Sequence, residues 1–503
     1  MPSKPTTRWQ VSGYRFLVRR MEHALVRRDV RMLHDPMRSQ SRAYAAGVIL
    51  GCLVLAGAGV LALLRPQGSI GDNKILIGKD SGAVYAVVDG VVHPALNLAS
   101  ARLAVGEPAK AVSIKESELS KKPLGALIGI PGAPSSLNFA TDGKGRAWTI
   151  CDELKVDGSR DLTTTVIADD PVLGTKATVM DHGKALLVQG KDAVYLIYDN
   201  KRARVNMTEP AVTNALQIRG ITPRPISEGL LNAIPEVLPI DAPKINDPGG
   251  IPTYPIANHR ISDVVQTQNN DGKHYFVVLY EGLQPISPLT AEIIRGKFPQ
   301  STPDELIDNS VRTYAPPASA LPVDKFPETA PTIVEGKDQP VGCMSWKPIA
   351  GAEDKAGATS HAELSVLTGH VLPLPDDART VQLAQADGSG PNVDAFYKTP
   401  GSGVFVQTTG IEPDSQRKDA KFFIADTGVR YGIKDPEAEK ALGMDAEKAK
   451  PEPAPYAIVG GLAPGPSLGR EEAMVAHDGV APDPNPAKQL VKPKQEGQQV
   501  PQN

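Results

Sequence analysis

Twenty-two residues without a charge, Ala43 to Leu64 (AYAAGVILGCLVLAGAGVLALL), lie between Arg42 and Arg65. At about 1.5 Å of rise per residue, a helix of that length crosses roughly 30 Å of hydrocarbon. No side of it offers the polar face expected of a core helix, so the stretch predicts one transmembrane helix over residues 42–65. A cleavable signal peptide is the competing expectation, because Ala56-Gly57-Ala58 is a small-x-small site. The charged region ahead of the apolar run is far longer than such a peptide carries. Within the span Ala43, Gly47 and Gly51 recur every four residues, which would let a second helix approach closely. Cys52 reads as a small apolar residue.

Charge sets the expected orientation. Residues 1–42 hold ten Lys or Arg against three acids, a net +7, whereas the whole chain is −3, which leaves −10 for everything after Arg42. Lys and Arg beside a span resist translocation, so the basic end is expected in the cytoplasm and the acidic part outside. With 46 Pro, 46 Gly and 5% aromatics, that outer part should be built of short strands and many turns.

Met1 to Gln10 reads as a flexible start and Val11 to Leu33 as a helix that Pro36 closes. Tyr14, Leu17, Val18, Met21 and Leu25 form an apolar stripe at three- and four-residue spacing, while Arg15, Arg19, Arg20, Arg27, Arg28 and Arg31 cover much of the rest. Residues 1–41 are therefore a basic amphipathic segment. Its stripe either lies on membrane lipid or docks onto a partner subunit.

The block Arg8 to Asp29 (RWQVSGYRFLVRRMEHALVRRD), followed by a single span, closely resembles the start of EccB, a core membrane component of mycobacterial type VII (ESX) secretion systems. A second match lies just beyond the span, from Val84 to Gly90 (VYAVVDG) through His93-Pro94 to Asn97–Leu103 (NLASARL). The resemblance covers essentially the whole length and points to the ESX-5 type. It implies a single-pass protein of the inner membrane, with a cytoplasmic amphipathic helix, one transmembrane helix and a large α+β periplasmic region over residues 66–480. It also implies partners in EccC (the P-loop motor ATPase), EccD, EccE and the MycP protease, with self-association of the periplasmic domain, in a six-fold assembly that exports small helical proteins. Nothing points to nucleic acid.

The outer sequence contains a weak internal repeat of strand, strand, tight turn and short helix. The copies are Ile75–Ile77 with Val84–Val88 and Asp89-Gly90; Ala185–Val188 with Ala193–Tyr198 and Asp199-Asn200; Val264-Val265 with His274–Leu279 and Leu289–Ile294; and Val404–Val406 with Phe422–Ala425 and Pro436–Leu442. Their irregular spacing excludes a regular solenoid and requires a further domain between the second and fourth. In EccB four such repeats surround a central β-rich domain.

Cys151 and Cys343 are the two outer cysteines, and an even count in an oxidising compartment favours a disulfide. The bridge matches one associated with EccB; two free thiols are the alternative. Trp148 and Trp346 stand three residues from them, either packed on the sulfurs or, since side chains alternate along a strand, covering the opposite face. Gly220–Pro255 and Tyr314–Pro331 read as ordered loops, Tyr456–Leu462 as a stretch that docks back on the fold, and residues 481–503 as a disordered Pro-rich tail.

EccB proteins are sometimes catalogued as ATPases, which would make ATP the one implied cofactor. A P-loop needs Gly-x4-Gly-Lys-Ser/Thr, whose amides cradle phosphate and whose hydroxyl binds magnesium. The seven Gly-Lys pairs, at Gly78, Gly143, Gly183, Gly190, Gly272, Gly296 and Gly336, are followed by Asp, Gly, Ala, Asp, His, Phe and Asp. A cell-wall hydrolase is the other enzymatic reading, but His-Glu-x-x-His does not occur, and the single Gly-x-Ser-x-Gly, Gly465 to Gly469, lies in a Pro-rich run (APGP) and is not read as a nucleophile elbow. His361, Glu363 and His370 come nearest to a metal cluster and read better as ordinary hydrogen-bonded histidines. No catalytic, cofactor or metal residue is assigned, and a structural subunit is the expectation.

Overall fold

The computed structural model describes residues 7–28, 36–64, 70–139, 145–256, 258–298, 319–349, 361–444 and 449–480, with Gln300, Leu306, Val311, Tyr314 and Pro317 between them. They form two compact units, Met1–Gly71 and Asp72–Asn503.

The first unit holds two helices. Helix α1 (Arg8–Arg27) begins three residues earlier than its sequence suggests, because Gln10 Oε1 accepts the Thr7 N–H at 2.9 Å and satisfies a donor at the helix start. It ends earlier too. Arg28 turns left-handed (φ 54°) and donates its N–H to the Ala24 carbonyl, so the helix does not run on to Leu33, and residues 29–35 lie outside the described ones. Pro36 opens helix α2 (Pro36–Leu64) rather than closing α1: at the first helical position its missing N–H costs no hydrogen bond. The long apolar stretch of α2, Gln40–Leu61, has no residue buried within the structure.

The second unit is a mixed α/β region. Its first sheet starts as an antiparallel meander of Ile75–Gly78, Val84–Val88 and Val91–Ala95. Asp89 and Gly90, at φ 49° and 81°, make the tight turn whose twist matches a hairpin. Helix Leu98–Val105 follows, its first turn capped by Asn97 Oδ1, which accepts the Ser100 N–H at 2.9 Å. Ala111–Ile114 then returns parallel to the first strand and Leu127–Ile128 parallel to the third. The second sheet has the same order: Lys184–Gln189, Val194–Tyr198 and Lys201–Val205 around the Asp199-Asn200 turn, then Arg224–Pro225 and Glu236–Ile240 on the two flanks. So does the fourth, with Val404–Thr409, Lys421–Ile424 and Val429–Gly432 flanked by Glu452–Pro455 and Ala463–Pro464. The third comprises Val264–Asn269, Gly272–Val278 and Leu283–Ile286, then helix Pro288–Lys297.

Each meander therefore carries a third strand that the strand-strand-helix expectation lacks. Those strands contain Pro94, Lys201, Arg202, Pro285 or Arg430 and are only partly buried, so their pairing comes from the preceding turn rather than from their own pattern.

The sheets associate in pairs. Helix Leu98–Val105 packs on Pro436–Leu442 and Arg470–Ala473, and one core joins Leu103 to Phe405, Phe423 and Leu442. Helices Pro210–Ala215 and Pro288–Lys297 pack likewise over Val212, Leu216, Leu289 and Ile293. Their close approach needs Gly296, where a Cβ would stand 3.1 Å from that of Ala211.

A seven-stranded sheet takes the central place. Its order is Val381–Gln382, Ala395–Tyr397, Leu162–Ile167, Trp148–Leu154, Val341–Pro348, Ala362–Gly369 and Ala177–Val179. Three of its strands precede the second small sheet and four fall between the third and the fourth, so the added domain is not confined to the interval between the second and the fourth. Gly220–Pro255 is correspondingly more than loop, since it supplies two flanking strands and a helix to the second sheet.

A local device shows how such turns are held. Glu116 Oε1 accepts from Asp80 N–H, Ser81 N–H and Ser81 Oγ at 3.0–3.1 Å, and the Ser81 backbone bond foremost holds its carboxyl down at about 2. A depressed carboxyl contributes stability above its ordinary 4.5 and loses it as pH falls through about 2. An NMR titration of the Glu116 carboxyl should find that low midpoint, and Ser81→Ala should raise it towards the ordinary value; an ordinary midpoint in the parent protein would refute the arrangement.

Candidate functional site

Cys151 and Cys343 are joined, with Cα atoms 4.0 Å apart. They are register partners on the adjacent strands Trp148–Leu154 and Val341–Pro348. The sulfurs are buried with Ile167, Val341, Leu367, Leu374 and Tyr397 on one face of the central sheet. Trp148 and Trp346, also register partners, lie in a different core with Ile150, Met344 and Phe396. The three-residue offset thus places the indoles on the opposite face from the bridge.

On the face opposite the bridge lies a buried charged cluster that the sequence did not announce. Asp152, 1% exposed, accepts from Ser227 N–H and Ser227 Oγ, both at 2.7 Å, and from Thr164 Oγ1 at 2.9 Å. Burial pushes its carboxyl up, while the Ser227 and Thr164 bonds and the Arg224 charge pull it back. Arg224, 8% exposed, donates to the carbonyls of Gln339 at 3.0 Å and Pro340 at 2.7 Å. These contacts fix the second small sheet against the central one. A second cluster ties in the fourth: Arg146 pairs with Glu452 and, at 3.8 Å, with Asp169, and Lys398 reaches Asp169 at 2.7 Å. The paired carboxylates and cations are spread over four segments far apart in sequence, so no local spacing could have revealed them.

In the first unit the stripe residues Tyr14, Leu17, Met21 and Leu25 stand exposed on α1 and Val18 is half-buried. Arg19, Arg20 and Arg28 are exposed as well, and the side chain of Arg27 lies outside the described ones. On α2, Ala43 is exposed, and the space around Gly47 and Gly51 is open to 4 Å. Cys52 is a free thiol on the helix surface.

His361 bonds Asp414 Oδ1 at 2.7 Å. Among the described residues no group of three or more His, Cys, Asp and Glu side chains is placed to hold a metal ion. A cleft of about 360 Å³ in the third sheet region is lined by Lys244, Asn246, Tyr280, Glu281 and Leu321 among others. The arrangement as a whole offers bracing and surfaces: a cross-linked, ion-paired outer body and an N-terminal helix with its apolar stripe uncovered.

Residues 3–482 match the family described as "Type VII secretion system ESX-1, transport TM domain B". The chain is 38% identical to the protein named "ESX-3 secretion system ATPase EccB3" of Mycolicibacterium smegmatis, over 96% of this chain and 93% of that one. It is similar to a chain in the structure of an intact ESX-5 inner membrane complex, with TM-score 0.73 and 30% identity over 98% and 99% of the two chains. It is also similar to a chain in the structure of an EccB3 dimer from the ESX-3 core complex, with TM-score 0.68 and 34% identity over 80% and 100%.

Proposed function

The chain belongs to the EccB family of type VII secretion proteins, and on that footing we propose that it is a structural membrane subunit of an ESX-type inner-membrane secretion complex. The single observation that carries this reading is the likeness, end to end, to a chain of an intact ESX-5 complex. In this reading residues 1–41 are cytoplasmic, 42–65 cross the membrane, 66–480 form the periplasmic body and 481–503 trail from it. The opposed charges on the two sides of the apolar stretch support that orientation.

The four small sheets are then copies of one unit around a central domain, a reading supported by the strand order that the first, second and fourth have in common. The periplasmic body self-associates, a reading supported by the dimer that the EccB3 relative forms in the ESX-3 core complex. Ala43, Gly47 and Gly51 seat a neighbouring span. Tyr14, Leu17, Val18, Met21 and Leu25, with Arg19, Arg20, Arg27 and Arg28, dock onto the cytoplasmic parts of the complex, where EccC, EccD and EccE are the partners; MycP is the partner outside. The word ATPase in a relative's name finds no Gly-x4-Gly-Lys-Ser/Thr in this sequence to stand on, so bracing is assigned and ATP hydrolysis is not.

Deleting residues 1–35 tests the docking role. The periplasmic body should still fold, by circular dichroism and an intact disulfide, yet the truncated protein should no longer co-purify with the complex. Normal incorporation would overturn the docking role.

A further inference from the structure

We propose that α1 is two-sided: besides the stripe around Leu17 and Met21, it carries a second apolar face of Trp9 and Phe16 that sits in the headgroup layer of an anionic phospholipid surface. The proposal rests on the membrane placement given under the proposed function.

Trp9 and Phe16 lie two turns apart on one side of the helix, roughly 140° around it from Tyr14, Met21 and Leu25. They are 88% and 55% exposed. Ser12 and Gly13 fill the turn between them, with open space at Gly13, so both rings stand clear of the helix. Arg20 shares that side and Arg19 borders it, both exposed, so of the arginines grouped above with the docking stripe these two are reassigned to the lipid-facing side. His23 continues the face and is buried with a partner, which leaves the two aromatic rings as its free part.

The chemistry selects lipid as the occupant. Two separated rings with small residues between them make no continuous apolar surface for a protein to bury, but indole and phenyl groups suit the boundary between headgroups and acyl chains. Arginines beside them match phosphate in charge and geometry. The tether is short: seven residues, 29–35, separate Arg28 from the start of α2, so the end of α1 lies within about 30 Å of the start of α2. One helix can then face the bilayer with one side and a protein with the other.

The chain provides its own probe. Of its three tryptophans, Trp148 and Trp346 are 1% and 0% exposed in the outer body, so quenching by bilayer lipid reports Trp9. The full-length protein would be reconstituted into vesicles of phosphatidylcholine alone or mixed with phosphatidylglycerol, each containing phospholipid brominated near the top of the acyl chain. We expect blue-shifted, quenched emission with phosphatidylglycerol, loss of the quenchable component in Trp9→Phe, and quenching cut by about half or more in Arg19→Gln/Arg20→Gln. Leu17→Ser/Met21→Ser should leave quenching intact while blocking co-purification with the complex. An incorporated protein whose Trp9 stays unquenched, or is quenched equally without phosphatidylglycerol, overturns the proposal. Failure to enter the bilayer at all would overturn the membrane placement and this proposal with it.

Discussion

Arg224→Met should destabilise the outer body by about 2–5 kcal/mol at neutral pH, chiefly because it leaves two buried carbonyls without their donors, at about 1–3 kcal/mol each. The change removes donors from the Gln339 and Pro340 carbonyls and the counter-charge from Asp152, which stays buried between Ser227 and Thr164. The Asp152 carboxyl is already pushed above its ordinary value by burial, and without Arg224 it rises further. A raised carboxyl means that the folded state keeps a proton the unfolded chain releases. Stability is therefore highest below the ordinary carboxyl range and falls as pH climbs through the folded value. The deficit of the variant should be largest near neutrality and shrink in acid. Adding Asp152→Asn should return part of the loss, because the charge needing compensation is gone. Urea unfolding of the parent, both single variants and the double variant, at neutral and at acid pH, measures all of this. An Arg224→Met protein within about 1 kcal/mol of the parent, the range of an ordinary substitution, would show that the cluster is not a brace.

That cluster also marks where sequence reading stops. The long apolar helix over Gln40–Leu61 was legible because an uncharged run of that length needs no partner to be recognised. The Asp89-Gly90 and Asp199-Asn200 turns were legible because positive φ selects those residues. The strands after them were not: Val91–Ala95 contains His93 and Pro94, and it is a strand because Val84–Val88 lies beside it. Flanking strands such as Leu127–Ile128 are two residues long and have no pattern to read. At the end of α1 the left-handed residue is Arg28, where Gly or Asn would have signalled a stop. Asp152 follows Cys151 in the run Thr-Ile-Cys-Asp-Glu-Leu, where an acid suggests an exposed edge. Its hydrogen-bonding partners come from positions 164 and 227, brought to it only by the fold.

The disulfide brings the other large expected effect. Replacing both cysteines, Cys151→Ala/Cys343→Ala, should cost about 5 kcal/mol, because the bond closes a very long loop in the unfolded chain and the entropy of closure grows with loop length. The separation is 192 residues and spans the whole second and third sheet regions. Strands Trp148–Leu154 and Val341–Pro348 are paired on either side of the bridge, so the native sheet should survive its removal nearly unchanged and the effect should fall on the unfolded state. Two readouts distinguish this from simple loss of packing. The melting temperature of a body of this size should drop by about 6 °C. The urea m-value should increase, because an unlinked chain exposes more surface on unfolding. Reductant applied to the folded parent should do little, since both sulfurs are buried, and should reproduce the variant only once the protein has been unfolded. A variant with unchanged melting temperature and m-value would mean that the strand pairing and the ion-paired clusters already hold the outer body together without the covalent link.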